Sequence, residues 1–172
     1  MLAFLSYQTD EKAVAGQVAK LLDSLGIDAF TAHDDIEVSQ EWRAELLKQI
    51  GAADLFVPLL SASYYGSIWC VQELGIAAFR NMAVIPLSLD GSVPKGFMAH
   101  IQSTKVDPAN IRFENLLPGL AKHDLRFTIG ALLENLRRSQ RWSRFPGQNG
   151  GLAKVDSGFD YAANFSCSWS IA

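Results

Sequence analysis

Short apolar runs alternate along the chain with stretches whose apolar residues recur at helical spacing. The runs that predict strands cover residues 2–7, 27–32, 54–60, 83–89 and, with a weaker pattern, 101–106. The third run is nearly all apolar, which is typical of a central strand in a parallel sheet covered by helices on both faces.

The segments between these runs predict helices. Val14, Val18 and Leu22 lie on one helical face before Gly26, and Leu46, Leu47 and Ile50 mark a second helix within residues 42–53. A third helix is predicted from about residue 67 to 81. The pattern is helical again over residues 112–140, where the Leu-Pro-Gly of residues 117–119 predicts a break between a short and a longer helix.

Strands that alternate with helices in this way predict an α/β fold. The simplest arrangement is a flavodoxin-like, doubly wound parallel sheet of five strands in the order 2-1-3-4-5. With 172 residues, the chain can hold one such domain over residues 1–140. Residues 141–172, rich in glycine and without clear periodicity, are predicted to be a C-terminal extension of unassigned role.

Composition narrows the classes of partner. The formal net charge of −3 offers no basic footprint, so direct nucleic-acid binding is not expected. No run approaches the roughly 18 apolar residues of a membrane span, and we expect no membrane insertion. Cys70 and Cys167 are far apart and form no metal-ligand spacing, which favours a reduced, cytoplasmic protein without a metal site.

The predicted sheet directs attention to the carboxyl ends of strands one and three, where ligands bind in this fold. Ser6, Tyr7 and Gln8 follow the first strand, and Ser61 follows the third. The next helix carries Trp69 and, one turn later, Glu73, the only charged residue between positions 55 and 79. The pair would share one helical face and one wall of the crevice. A solvated glutamate beside a packed ring is the ordinary alternative.

Several familiar chemistries lack their motifs. There is no G-x-G-x-x-G after the first strand, no phosphate-binding G-x-x-x-x-G-K-[ST] and no G-x-S-x-G. His33, His100 and His123 have no ligand spacing, and Cys70 without a histidine base is expected to be a buried structural thiol.

Four segments in the same order resemble the TIR domain family, in particular its bacterial NAD-cleaving members. They are "AFLSY", "HDDIEVSQEW", "ADLFVPLLS" and "SIWCVQELGIAA", the last with the W-x-x-x-E spacing. The resemblance covers residues 1–106, and the trailing helix fits the family's last helix.

The resemblance implies roles for particular residues. Glu73 matches the catalytic glutamate, Trp69 the aromatic that stacks on the substrate, and Trp42 an aromatic that lines the site. Ser6, Tyr7 and Gln8 match the edge of the first strand and, with Ser61, are predicted to contact the substrate. Asp34 or Asp35 matches a loop aspartate. NAD would be the substrate, with no resident cofactor.

The implied function is cleavage of the nicotinamide–ribose bond of NAD to ADP-ribose or a cyclic isomer, in bacterial antiphage immunity. In that setting activity depends on TIR–TIR self-association, and a sensor or effector partner is expected. One alternative is a non-catalytic TIR adaptor that self-associates through the acidic loop "DDIEVSQE". Another is an enzyme like nucleoside deoxyribosyltransferase, which also places a glutamate at a ribose.

Overall fold

A computed structural model describes residues 1–31 and 41–142, except for the side chains of residue 41 and residues 138–142. The strands are β1 (Leu2–Ser6), β2 (Asp28–Thr31), β3 (Leu55–Leu60), β4 (Ala83–Val84), β5 (Leu87–Ser88) and β6 (Thr104–Lys105). The helices are α1 (Lys12–Ser24), α2 (Glu41–Ala52), α3 (Ala62–Gly66), α4 (Ile68–Phe79), α5 (Leu117–His123) and α6 (Leu125–Trp142).

The described strands form one parallel sheet with the order β2-β1-β3-β5-β6, and β4 also pairs with β3. β4 and β5 together occupy the place of the predicted fourth strand. Pro86 lies between them and has no backbone N–H to donate, so the strand divides there. The predicted doubly wound α/β fold and the succession 2-1-3-4-5 are therefore confirmed.

Alternation along β1 assigns its side chains to opposite faces of the sheet. Ala3, Leu5 and Tyr7 belong to the core cluster that contains α1. Phe4 belongs to the cluster beneath α2 and α4, where its ring stacks on Phe56 with centroids 6.0 Å apart. Ser6, two residues after Phe4, consequently faces α2 and α4.

Two local predictions differ from the structure. The segment between β3 and the helix predicted from about residue 67 forms the short helix α3. The Ser61 hydroxyl caps this helix by accepting a hydrogen bond from the Tyr64 N–H at 3.0 Å. Pro118 lies in the first turn of α5, where proline is tolerated, so the Leu-Pro-Gly segment begins a helix instead of interrupting one.

The boundary between the two helices lies instead at Asp124. Its carboxylate accepts a hydrogen bond from the Phe127 N–H at 2.9 Å at the start of α6. Helix α6 continues to Trp142, past the predicted domain end at residue 140. Asp34, Asp35 and residues 143–172 lie outside the described residues. Within the described part of the chain, no helix has the length and apolar character needed to cross a membrane.

Close packing of α5 on β4 and the residues after it predicts a stability difference between two helical glycines. A Cβ on Gly119 would lie 2.6 and 2.8 Å from the two γ-carbons of Ile85, whereas a Cβ on Gly130 would have nothing within 4 Å. We expect Gly119→Ala to lower the free energy of unfolding by about 1–3 kcal/mol. Gly130→Ala, the matched control, should be neutral or raise it by up to about 1 kcal/mol. Urea titration measures both, and equal effects would contradict this packing.

Candidate active site

Helix α4 begins beside the sheet because Ser67 caps it. The Ser67 hydroxyl accepts a hydrogen bond from the Cys70 N–H at 3.4 Å. From this start, Cys70, Glu73, Leu74 and Ala77 form the buried face of the helix. A carboxylate thus occupies a position in a row of otherwise apolar or weakly polar side chains that pack toward the sheet.

Glu73 is 5% exposed and accepts a hydrogen bond of 2.5 Å from the Ser6 hydroxyl. Ser6 is the last residue of β1 and is in register with Pro58 of β3, so the contact lies at the carboxyl ends of the two adjacent strands. This is the edge at which the winding of the sheet changes direction, the usual ligand position in such folds.

Burial raises the pKa of Glu73 from its ordinary value of 4.5 to about 7, and the hydrogen bond from Ser6 opposes part of that rise. A charged carboxylate loses hydration when buried, and one hydroxyl donor replaces only part of it. The group therefore changes charge near neutral pH, where a catalytic base is most effective.

Tyr64 completes the polar contacts beneath Glu73. Its side chain is fully buried, and its hydroxyl lies 2.9 Å from the Ser6 hydroxyl and donates a hydrogen bond to the Cys70 carbonyl at 3.2 Å. Burial raises the pKa of Tyr64 well above its ordinary value, and burial also raises the pKa of the Cys70 thiol to about 11. Both groups are neutral at physiological pH, in agreement with a structural role for Cys70.

A cavity of about 380 Å³ opens above Glu73 between α2 and α4. It is lined by Arg43, Leu46 and Leu47 from α2 and by Trp69, Gln72, Glu73 and Ile76 from α4. Trp69 is 45% exposed, and its ring meets that of Trp42 edge to face with centroids 4.4 Å apart. The carboxylate thus lies in the wall of a cleft that also presents an accessible indole, as the helical spacing predicted.

A second buried carboxylate, Glu11, lies in the 3-10 turn that follows β1. It accepts hydrogen bonds from the hydroxyls of Ser61 and Ser63 and from the Gln8 N–H, the last two at 3.0 and 3.2 Å. Glu11 thereby joins the loop after β1 to the loop after β3. We call these contacts the Glu11 group. The Ser61 hydroxyl and the Gln8 N–H both donate to Glu11 within it.

Four of the predicted site residues come together, and three lie elsewhere in the described part of the chain. Ser6, Trp42, Trp69 and Glu73 come together between α2 and α4. Tyr7 is 2% exposed in the core cluster on the opposite face of the sheet, as alternation along β1 requires. Ser61 and Gln8 belong to the Glu11 group, while Asp34 and Asp35 lie outside the described residues.

Two contributors were missed by the sequence analysis. Tyr64 contacts Ser6 across 58 residues, and its only local signal is a tyrosine three residues after a helix-capping serine. Glu11 left only a weak signal, because its spacing from Gln8 is that of a capping box but glutamine is not among the usual N-cap residues.

The fold and the cleft define a class, a flavodoxin-like α/β domain with a polar site at the carboxyl edge of its sheet. The TIR domain family model matches residues 3–117, and the chain belongs to the TIR domain family.

A solved TIR domain agrees with the fold. The TIR domain of the Toll-related receptor TRR-2 from Hydra magnipapillata is 14% identical, with a TM-score of 0.55, and the match covers 73% of this chain and 96% of that one. A 2-deoxyribosyltransferase from Bacillus psychrosaccharolyticus is 19% identical with a TM-score of 0.48, covering 67% and 96% of the two chains.

The raised pKa of Glu73 predicts a specific pH dependence of stability. Between pH 4.5 and about 7 the unfolded chain releases the Glu73 proton while the folded protein retains it, so this group's contribution to stability is lost as pH rises through that window. Glu73→Gln keeps the volume and the acceptor for Ser6 but cannot ionise. Relative to wild type, we expect the variant to gain about 3 kcal/mol in free energy of unfolding between pH 4.5 and 8. Urea titration across this range checks it, and a constant difference would contradict the shift.

Proposed function

We propose that this TIR domain cleaves the bond between nicotinamide and ribose in NAD, with Glu73 as the catalytic carboxylate. The observation that carries the proposal is a glutamate that is 5% exposed, lies in the wall of a cleft beside an accessible tryptophan and accepts a hydrogen bond from Ser6. A buried carboxylate that lowers stability at neutral pH is typical of a functional site.

The chemistry needs few groups. The bond between ribose C1′ and the pyridinium nitrogen breaks heterolytically, and its electron pair leaves with nicotinamide, which becomes neutral without protonation. The cost lies in the positive charge that develops on the ribose, as in glycoside cleavage. A fixed carboxylate beside C1′ stabilises that charge, and it does so most strongly where water is excluded.

The second step uses Glu73 as a base. Water adds its oxygen to C1′ and gives a proton to Glu73, which then releases it to solvent, and the product is ADP-ribose. In the cyclising variant a nucleophile within the same ADP-ribosyl group attacks C1′ in place of water. Either route requires ionised Glu73 at the start, so activity should rise as pH increases through about 7.

The rest of the cleft suits a dinucleotide. Trp69 offers a flat, partly exposed ring for stacking, and Trp42 supports it from the side. Arg43 lines the same cavity and supplies positive charge for a diphosphate. By resemblance to bacterial members of the family, we place the reaction in antiphage immunity.

One observation favours self-association, either as a requirement for activity or as the function of an adaptor without catalysis. Leu125, Ile129 and Leu133 of α6 are exposed by 58%, 48% and 51%, and their spacing of four residues puts them along one side of the helix. Such a stripe is typical of a protein contact surface. A TIR domain that assembles through it would be more active when concentrated.

The Glu73→Gln variant tests the catalytic role. We expect concentrated wild-type protein to release nicotinamide from NAD. The variant should be slower by about 10²- to 10³-fold because one fixed charge at the developing cation is lost. Mass spectrometry of the second product distinguishes ADP-ribose from a cyclic isomer. Glu45→Gln, which removes a partly exposed carboxylate from α2 that does not line the cavity, is the matched control and should retain full activity.

Other outcomes would change the assignment. Undiminished NAD cleavage by Glu73→Gln would remove Glu73 from the mechanism. Base exchange on deoxynucleosides without NAD cleavage would favour a deoxyribosyltransferase. If neither protein consumes NAD or deoxynucleosides even when concentrated, the adaptor function replaces catalysis, and Leu133→Lys should then disrupt oligomers observed by light scattering.

The exposed ring of Trp69 gives a separate prediction. Stacking on an aromatic ring contributes about 1–3 kcal/mol, so Trp69→Ala should raise the KM for NAD by about 5- to 150-fold. Phe79→Ala removes a 92% exposed ring from the far end of the same helix and is the control. Steady-state kinetics gives the KM for NAD of each variant. Equal KM values for Trp69→Ala and Phe79→Ala would exclude stacking on Trp69.

A further inference from the structure

The contacts beneath Glu73 carry an inference about residues other than the carboxylate itself, and it rests on the proposed function. We propose that Ser6 and Tyr64 are positioning residues whose two hydroxyls form a reversible chain that holds Glu73 in both of its protonation states.

The geometry gives a continuous series of short contacts, and the Cys70 thiol also interacts with Ser6. Glu73 lies 2.5 Å from the Ser6 hydroxyl, Ser6 lies 2.9 Å from the Tyr64 hydroxyl, and Tyr64 lies 3.2 Å from the Cys70 carbonyl. Ser6 is 1% exposed and Tyr64 is fully buried, so neither hydroxyl contacts bulk water. Both are therefore placed to act on Glu73 and not on substrate.

Proton counting shows why two hydroxyls are needed. When Glu73 is ionised, Ser6 donates its single proton to the carboxylate and can only accept from Tyr64, so Tyr64 donates to Ser6. When Glu73 is protonated, it donates to Ser6, Ser6 donates to Tyr64, and Tyr64 donates to the Cys70 carbonyl. Every hydroxyl proton has an acceptor in both arrangements, which differ by the one proton on Glu73 and by rotation of the two hydroxyls.

Hydrogen bonding to both protonation states of Glu73 is important because the proposed reaction passes through both. Glu73 begins as a carboxylate and becomes a carboxylic acid when it takes a proton from water. A buried acid with a single fixed donor would lose its partner at that step and could turn away from C1′. The series of hydrogen bonds ends at the Cys70 carbonyl, so it does not conduct the proton out of the site. Glu73 therefore releases its proton to solvent through the cleft.

Removal of either hydroxyl should make ionisation of Glu73 harder. A hydrogen bond to a charged acceptor, once lost, shifts the pKa upward by about one unit or more. We therefore expect the pH at which kcat reaches half its maximum to rise by about one unit in Ser6→Ala, and by a smaller amount in Tyr64→Phe. At pH 7 kcat would fall by about five- to sixfold in Ser6→Ala, with recovery toward pH 9 and an unchanged KM.

The two ionisable side chains beside Ser6 and Glu73 do not titrate in the pH range around 7, where Glu73 changes charge. Tyr64 from α3 and Cys70 from α4 both have pKa values raised above it by burial. Arg43 reaches the cavity from α2. Glu11 belongs to the separate group with Ser61 and Ser63.

The test measures the free energy of unfolding against pH alongside NAD cleavage, for wild type, Ser6→Ala, Tyr64→Phe and Ser88→Ala. Ser88 is the matched control, a 2% exposed serine at the end of β5 whose hydroxyl accepts from the Gly91 N–H and is absent from the Glu73 contacts. The pH window over which stability falls should extend to higher pH in Ser6→Ala and Tyr64→Phe but not in Ser88→Ala. If Ser6→Ala does not fold, Tyr64→Phe still tests whether the window extends to higher pH.

The two readouts keep this proposal separate from the proposed function. An extended stability window in a protein that does not cleave NAD supports the positioning role and overturns the catalytic one. An unchanged window overturns the positioning role whatever the NAD activity. Loss of kcat by the same factor at every pH also overturns it, because a merely structural defect has that signature.

Discussion

The burial of the Glu73 carboxylate against the end of β1 is the interaction on which the functional region depends. One hydrogen bond from Ser6 replaces only part of the lost hydration, so the charge remains unfavourable and the pKa rises to about 7. The sheet makes this arrangement possible. Its parallel strands end together, which places Ser6, the last residue of β1, against Glu73 in the wall of the cleft.

Two groups of polar contacts hold this edge in place and do different work. Glu11 joins the loops after β1 and β3 through Ser61 and Ser63, which determines where α3 begins. Helix α3 in turn brings the Tyr64 hydroxyl beneath Ser6. The structural carboxylate is thus surrounded by several donors, whereas the candidate catalytic one is not. That difference follows from burial and hydrogen bonding, and it is the physical basis for assigning chemistry to Glu73.

Much of the fold followed from periodicity. The all-apolar run of β3 indicated a central strand, and the four-residue spacing of Trp69 and Glu73 placed both at one cleft. Alternation along β1 would also have separated Ser6 from Tyr7, had it been applied to the site residues. The division of the fourth strand at Pro86 and the helix formed by residues 62–66 depend on local chemistry that periodicity does not register.

Contacts between residues far apart in the sequence could not be predicted from periodicity. Ser6 meets Tyr64 and Glu73 over 58 and 67 residues, and these distances become short only when β1, α3 and α4 pack together. The pKa of Glu73 is likewise a property of the packed protein, since burial causes it.

Direct titration of Glu73 tests the central claim most sharply. With ¹³C-labelled glutamate, the δ-carbon resonance of Glu73, assigned by comparison with Glu73→Gln, can be followed by NMR from pH 3 to 9. The account predicts a midpoint at about 7, well above the ordinary glutamate value of 4.5. A midpoint near 4.5 would show a well-solvated carboxylate, and Glu73 would then be an ordinary helix residue beside a packed tryptophan.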